Sequence, residues 1–289
     1  MSSHSHNRRA ILMVLGAALL FACAAGCVKA LAGGIPLAMV VLFRGAFALP
    51  VVWPLVARAG GWSVLRSRNP WGHAGRVFFG LVGMAGAFHG YATMPLATVT
   101  ALGFTMPLFL TLLSRPLLGE RIDARRLAAV LVGFVGVLVM LRPGLTAPGS
   151  PFDIGLVLLA ALGWALAMIS IRKMGEAGEP GIAIVAWFAI GASAVALCFA
   201  VPVWVWPSAW QWALLLGIGV ISAFAQLLMT AAYRSGDTTL LAPFEYSGIL
   251  WTTVLGVLIW NEAPDGWDAA GMAILVGCGL YVWRRGARG

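Results

Sequence analysis

"AILMVLGAALLFACAAGCVKAL", residues 10–31, carries a single charge, Lys29, near its far end. A helix needs about 20 mostly apolar residues to cross a hydrocarbon core about 30 Å thick. The preceding "MSSHSHNRR" gives this region the outline of a signal peptide, and "AAGC" ending at Cys27 approximates a lipoprotein cleavage site. Signal h-regions are only about 7–15 residues long, however, so the run reads as a first membrane span.

The rest of the chain continues in the same way. Of 289 residues, 61% are hydrophobic and 10% charged, with a mean hydropathy of +0.93. A soluble domain averages about 45–50% apolar and about 25% charged residues, so this composition leaves too little polar surface for a water-soluble fold. The net charge of +9 does not mark a nucleic-acid binder, because the basic residues sit singly or in small groups between apolar runs.

Applying the 20-residue rule along the chain predicts ten spans, at 10–31, 36–56, 74–94, 97–117, 125–141, 154–173, 182–203, 210–232, 238–260 and 267–283. Pro95 marks a tight turn between the third and fourth. With the N-terminus inside, the cytoplasmic segments collect Arg8, Arg9, Arg58, Arg66, Arg68, Arg76, Arg115, Arg121, Arg125, Arg126, Arg172, Lys173, Arg234, Arg284, Arg285 and Arg288, which is 16 of the 19 Lys and Arg residues. Arg142 alone falls in an outer loop, and Lys29 and Arg44 fall within spans. Losing one span would invert every later loop and destroy this asymmetry. The predicted location is a bacterial inner membrane, with both termini cytoplasmic.

Sliding the chain on itself by 142–143 residues lays "AALLFA" (17–22) over "AALGWA" (160–165) and "LLGERID" (117–123) over "IWNEAPD" (259–265). Lys29 then falls on Arg172, Tyr91 on Tyr233, Glu120 on Glu262 and Asp123 on Asp265. The match predicts two halves, 1–146 and 147–289, of five spans each. An odd number of spans per half forces opposite insertion, the inverted-repeat arrangement of secondary transporters. Duplication without alternating access is the competing explanation. Glycines in "FFGLVGMAGAFHG" (Gly80, Gly83, Gly86, Gly90), with Gly133, Gly136, Gly271, Gly277 and Gly279, read as seams where helices approach closely. The four cysteines all lie in apolar runs without metal-ligand spacing and read as packing residues.

Ionisable residues at membrane depth cost about 2.5–3.5 kcal/mol each on insertion scales, so the exceptions carry information. At about 1.5 Å per residue, Arg44 lies roughly 12 Å below the outer boundary of its span and Glu245, in "LAPFEYSGIL" (241–250), roughly 10 Å above the inner boundary of its own. Two readings stay open. Arg44 and Glu245 form a buried structural pair, or they line a wet cavity and bind charged ends of a substrate, with Glu245 able to take a proton. Pro243 beside Glu245, and Pro107 in the fourth span, free backbone carbonyls at depth, as tolerated where a chain lines a cavity. The further substrate-binding candidates are Tyr246, His89, Tyr91, Trp164, Trp187, Gln226 and Lys29. Each has a plainer account in interfacial anchoring, interhelical packing or, for Lys29, snorkelling. Glu120 and Glu262, at span ends, read as loop anchors or caps of the next helix.

No P-loop, dinucleotide fingerprint, HExxH or nucleophile elbow occurs, so no enzyme is expected, and transport would need a gradient rather than ATP. The stretches "FRGAFALP", "PLATVTALGFTMPLF", "LLGERID", "AVLVGFVGVLVMLRPG" and the weaker "NEAPDGWDAAGMAILVGCGLYV" together resemble the EamA-type branch of the drug/metabolite transporter superfamily, over essentially the whole chain. The resemblance implies an all-α membrane protein, with ten helices in two inverted five-helix repeats around a central cavity. Members of the family move amino acids, nucleotide derivatives, riboflavin, S-adenosylmethionine, toxic cations and metallophores. Arg44 and Glu120 occupy family-typical positions. The second half has "NEA" in place of "GER", which puts a symmetric role for Glu262 in doubt, and Glu245 is matched in the first half by the uncharged Gly103.

These readings converge on a secondary transporter exporting a small amino-acid-like, zwitterionic or anionic metabolite, with an opine-type metallophore among the cargoes considered. Uptake of a cofactor such as riboflavin or S-adenosylmethionine, and a membrane scaffold without transport, are the alternatives. The partners expected are a small-molecule substrate and membrane lipid, with no nucleic acid, cofactor or metal. Proton coupling through Glu245 is one option, and monomer and homodimer both stay open.

Overall fold

Proline begins one helix after another in this chain, in the computed structural model that describes residues 3–67, 69–118, 124–141, 149–235 and 247–286. The described residues are helical throughout, with no strand among them. The helices are α1 (Ser3–Ala30), α2 (Leu37–Arg58), α3 (Pro70–Thr93), α4 (Leu96–Gly103), α5 (Met106–Leu118), α6 (Ala124–Leu141), α7 (Pro151–Glu176), α8 (Gly181–Ala200), α9 (Ala209–Ser235), α10 (Ser247–Trp260) and α11 (Gly266–Gly286). Pro36, Pro95 and Pro180 stand at the N-caps of α2, α4 and α8, while Pro70 and Pro151 occupy the first turns of α3 and α7. A proline there gives up an N–H that has no partner in a helix's first turn anyway.

Side chains complete two of these starts. Asn69 accepts a hydrogen bond from the Gly72 N–H at 2.9 Å. Ser150 and Asp153 form a reciprocal capping box, with Ser150 Oγ accepting from the Asp153 N–H and Asp153 Oδ2 accepting from the Ser150 N–H, each at 3.2 Å. Among the described residues, five segments are long and apolar enough to cross a membrane: Ile11–Ala30, Leu37–Arg58, Pro151–Glu176, Gly181–Val203 and Ala209–Met229. Large apolar side chains face outward along them and their neighbours, among them Leu12, Phe199, Leu258 and Ile259. An outer surface of that kind suits lipid rather than water. Exposed tryptophans gather at helix ends, with Trp62 and Trp71 between α2 and α3 and Trp206 and Trp210 between α8 and α9, as in an interfacial aromatic belt.

The predicted fourth span, 97–117, is broken into α4 and α5 at Phe104 and Thr105. Pro107 has no N–H for the carbonyl of Gly103. The break is repaired locally. The Thr105 hydroxyl donates to the Leu102 carbonyl at 2.7 Å, and the Thr105 N–H bonds the same oxygen at 3.0 Å. Pro95 marks the turn between α3 and α4, as its position in the sequence predicts.

Packing pairs α1 with α9, α3 with α7, α2 with α8 and α6 with α11, while α10 lies against α1 and α4. Glycine supplies several of these seams. A Cβ on Gly163 of α7 would lie 2.9 Å from both the Gly83 nitrogen and the Phe79 carbonyl oxygen of α3, so the two backbones touch there. Gly86 faces Leu156 and Ala160 of α7, Gly90 faces Val157, and Gly136 of α6 faces the Gly271 carbonyl of α11. These are the close approaches expected where lipid offers no hydrophobic drive between helices. Gly277, predicted as part of a seam, has open space where its Cβ would be. The largest buried cluster, including Met39, Met84, Phe88, Phe188, Leu215 and Ile218, joins α2, α3, α8 and α9.

Candidate functional site

The helices form a cavity of about 320 Å³, within the range of small-molecule sites. Its walls come from α1, α2, α3, α4, α7, α8, α9 and α10, with residues of the α4–α5 break, Gly103, Phe104 and Met106, on the wall. Irregular backbone at membrane depth is tolerated where it borders such a space. Two arginines from neighbouring helices line it: Arg44 of α2 and Arg76 of α3. Tyr91, Thr100, Ser222 and Gln226 add polar groups, and most of the remaining wall is aromatic, methionine or alanine. Among the described residues, no carboxylate lines the cavity.

Arg76 is 8% exposed, and its guanidinium carbon lies 3.8 Å from the centre of the Phe188 ring. Gly80, one turn along α3, leaves the space that the guanidinium and Phe188 occupy; a Cβ there would collide with both. The Nε of Arg76 has no hydrogen-bond partner among the described residues. Trp164 of α7 lies between two other glycines. A Cβ on Gly83 would overlap its indole, and one on Gly103 would touch it at 3.5 Å. The indole therefore sits between α3 and α4 and lines the cavity.

Four of the predicted substrate contacts meet on this wall: Arg44, Tyr91, Trp164 and Gln226. Three are placed elsewhere. Lys29 Nζ lies 2.6 Å from Glu262 Oε1, donates to the Met94 carbonyl at 2.9 Å, and sits 5.8 Å from the centre of the Trp260 ring. His89 Nε2 is 2.6 Å from Asp153 Oδ1, joining the end of α3 to the start of α7. The indole N–H of Trp187 donates to the Leu65 carbonyl at 2.9 Å. Glu245, Tyr246 and Glu120 lie outside the described residues. Glu262, read as a loop anchor or cap, accepts from the Leu96 N–H at 3.2 Å and so caps the start of α4.

Arg76 is the cavity residue that the sequence reading misplaces, because it is counted there with the cytoplasmic arginines. It is buried in the second turn of α3. The signal was present: position 76 falls inside the predicted span 74–94, and a glycine follows four residues later on the same helical face.

The comparisons agree with this geometry. The EamA-like transporter family matches residues 8–142 and residues 152–283. The chain is 30% identical to an S-adenosylmethionine uptake transporter of Rickettsia prowazekii, across 84% of this chain and 81% of that one. It is 29% identical to a riboflavin transporter of Vibrio cholerae, across 96% and 93%. It is 31% identical to the pseudopaline exporter CntI of Pseudomonas aeruginosa, across 93% and 94%. A solved crystal structure superposes with a TM-score of 0.68 over 96% of this chain and 99% of that one, and at 24% identity this likeness speaks for the fold alone. An apolar helical bundle around a cavity with two arginines on its wall, matched along nearly its whole length by transporters of small molecules, belongs to the EamA-like transporter family as a multi-pass membrane protein.

Proposed function

We propose that this protein is a secondary active transporter that exports a small amino-acid-like, zwitterionic or anionic metabolite across the bacterial inner membrane by alternating access, an opine-type metallophore being one such cargo. The observation that carries the reading is the cavity between the helices with Arg44 on its wall. A cation at that depth is costly, and a carboxylate on the cargo would offset the cost. Glu245 is the proposed site for a substrate amine or a coupling proton. The relative named as a pseudopaline exporter supports outward movement of such a cargo. The relatives named as S-adenosylmethionine and riboflavin transporters support the second reading, uptake of a cofactor.

The architecture proposed is ten crossings in two inverted halves, 1–146 and 147–289, with both termini cytoplasmic. The family match falls separately at 8–142 and 152–283, which supports two related units. Helix packing supports them as well. Exchanging α1 with α7, α2 with α8, α3 with α9, the α4–α5 pair with α10, and α6 with α11 turns the α1–α9 contact into α7–α3. The same exchange turns α2–α9 into α8–α3 and α1–α10 into α7–α4 and α7–α5, and carries α2–α8, α6–α11 and α4–α10 into themselves. A rocking of one half against the other would expose the cavity to either side.

Metabolite profiling of cells and medium, with and without the gene, tests the reading. Export predicts a carboxylate-bearing amino-acid derivative enriched in the medium when the gene is present. Arg44→Leu and Glu245→Gln should abolish that enrichment at normal expression. Normal flux in both variants would sink the site assignment, and gene-dependent accumulation inside the cells would favour the uptake reading.

A further inference from the structure

We infer that Arg76 is a second substrate-binding guanidinium, and that the cargo carries two acidic groups on an apolar or aromatic body. This inference rests on the cavity being the transport site, as proposed above.

Three observations carry it. First, Arg76 lines the cavity, is 8% exposed, and keeps an Nε without a hydrogen-bond partner among the described residues. Leaving a donor of a charged group buried and unsatisfied is unfavourable, so a guanidinium in this state favours an arriving acceptor. Second, the guanidinium is held in place. It stacks 3.8 Å from the ring centre of Phe188, in space that Gly80 leaves open. All five N–H donors of arginine lie in the guanidinium plane, so stacking on a ring face leaves them available at the edges as a fork that fits a carboxylate. Third, Arg44 lines the same cavity, and like charges repel across a space of low dielectric. No lining carboxylate opposes them among the described residues. With Glu245 given to a substrate amine or a coupling proton, as proposed above, one anionic group satisfies one guanidinium, and a second anionic group is needed for the other. A cargo of net positive charge is disfavoured by both.

The remaining wall describes the rest of the cargo. Phe21, Phe88, Phe104 and Trp164 line it, together with Met84, Met106, Met168 and Met229. Such a surface suits a flat or apolar body and adapts to its outline.

Phenylsuccinate and 3-phenylpropionate, which share the ring and differ by one carboxylate, separate the two-anion site from a one-anion site. Binding is measured by titration calorimetry on the full chain in detergent. The wild type should bind phenylsuccinate at least tenfold more tightly than 3-phenylpropionate. Arg76→Gln should shrink that ratio to below threefold, with little change for the monocarboxylate. Gly80→Ala moves the guanidinium off Phe188 without removing its charge and should give an intermediate ratio. It also carries the test if Arg76→Gln fails to elute as a single folded species. A tenfold ratio that persists in either folded variant overturns the proposal. Equal binding of both probes by the wild type overturns it too, while leaving the cavity a binding site. Binding of neither probe also overturns it, and gene-dependent flux lost in Arg44→Leu would then show that the transport reading survives by itself.

Discussion

Lys29, partly buried, and Arg76, buried, are cations on neighbouring helices, yet the protein treats them in opposite ways. Lys29 is enclosed by partners: the Glu262 carboxylate at 2.6 Å, the Met94 carbonyl at 2.9 Å and the Trp260 ring. Arg76, on the cavity wall, has a ring face beneath it and an Nε with no hydrogen-bond partner among the described residues. The first is a closed account of charge that holds the ends of helices together. The second leaves its hydrogen-bonding capacity unspent. Burial alone does not distinguish a structural charge from a functional one; the completeness of its partners does.

This contrast can be broken by experiment, and the largest expected effect is on the cavity side. Arg44→Leu should lower substrate flux in reconstituted vesicles at least tenfold while leaving the melting temperature in detergent unchanged or higher. A fall in stability equal to the loss of flux would make Arg44 a structural charge like Lys29. Next comes the enclosed cation. Lys29→Met leaves Glu262 without its counter-charge and should cost about 2 kcal/mol, a drop of about 5 °C for a chain of this size. Adding Glu262→Gln should recover part of that loss, and an unchanged melting temperature in Lys29→Met would remove the contrast. A smaller effect of opposite sign is expected at the other cation. Arg76→Met removes a buried charge without a full set of partners and should raise the melting temperature by about 3 °C. Destabilisation there would mean that the stack on Phe188 outweighs the unmet donor. The smallest effect belongs to the start of α7. Ser150→Ala removes half of the capping box and should cost about 1 kcal/mol, near 2–3 °C. No measurable change would place the stability of that end in the His89–Asp153 contact instead.

How far these features were legible in the sequence follows from how local they are. The break of the fourth span, the turn at Pro95 and the glycine approaches of α3 depend on residues a few positions apart, and a reading of short windows finds them. The Lys29–Glu262 pair joins residues far apart in the chain, at the ends of α1 and α10, and nothing in either neighbourhood names the other. Lys29 was placed by depth as a snorkelling residue, and depth carries no information about a partner. The partners of His89 and Trp187 are hidden from the sequence in the same way: each satisfies a distant group, Asp153 and the Leu65 carbonyl respectively. Arg76 shows the converse. Counting it as one more arginine near the inner boundary helps predict topology, but the count cannot tell an arginine facing headgroups from one turned inward beside Gly80.

The contacts around Glu262 also bear on how motion at that end of the bundle would begin. One carboxylate holds Lys29 of α1 and the Leu96 N–H of α4, while Lys29 holds the Met94 carbonyl at the end of α3. Separating α10 from these helices therefore breaks the pair and strips the cap from α4 in one event. If the two halves rock as proposed, that end does not fray by degrees. It is shut or released, and the lifetime of a single carboxylate's grip sets the tempo.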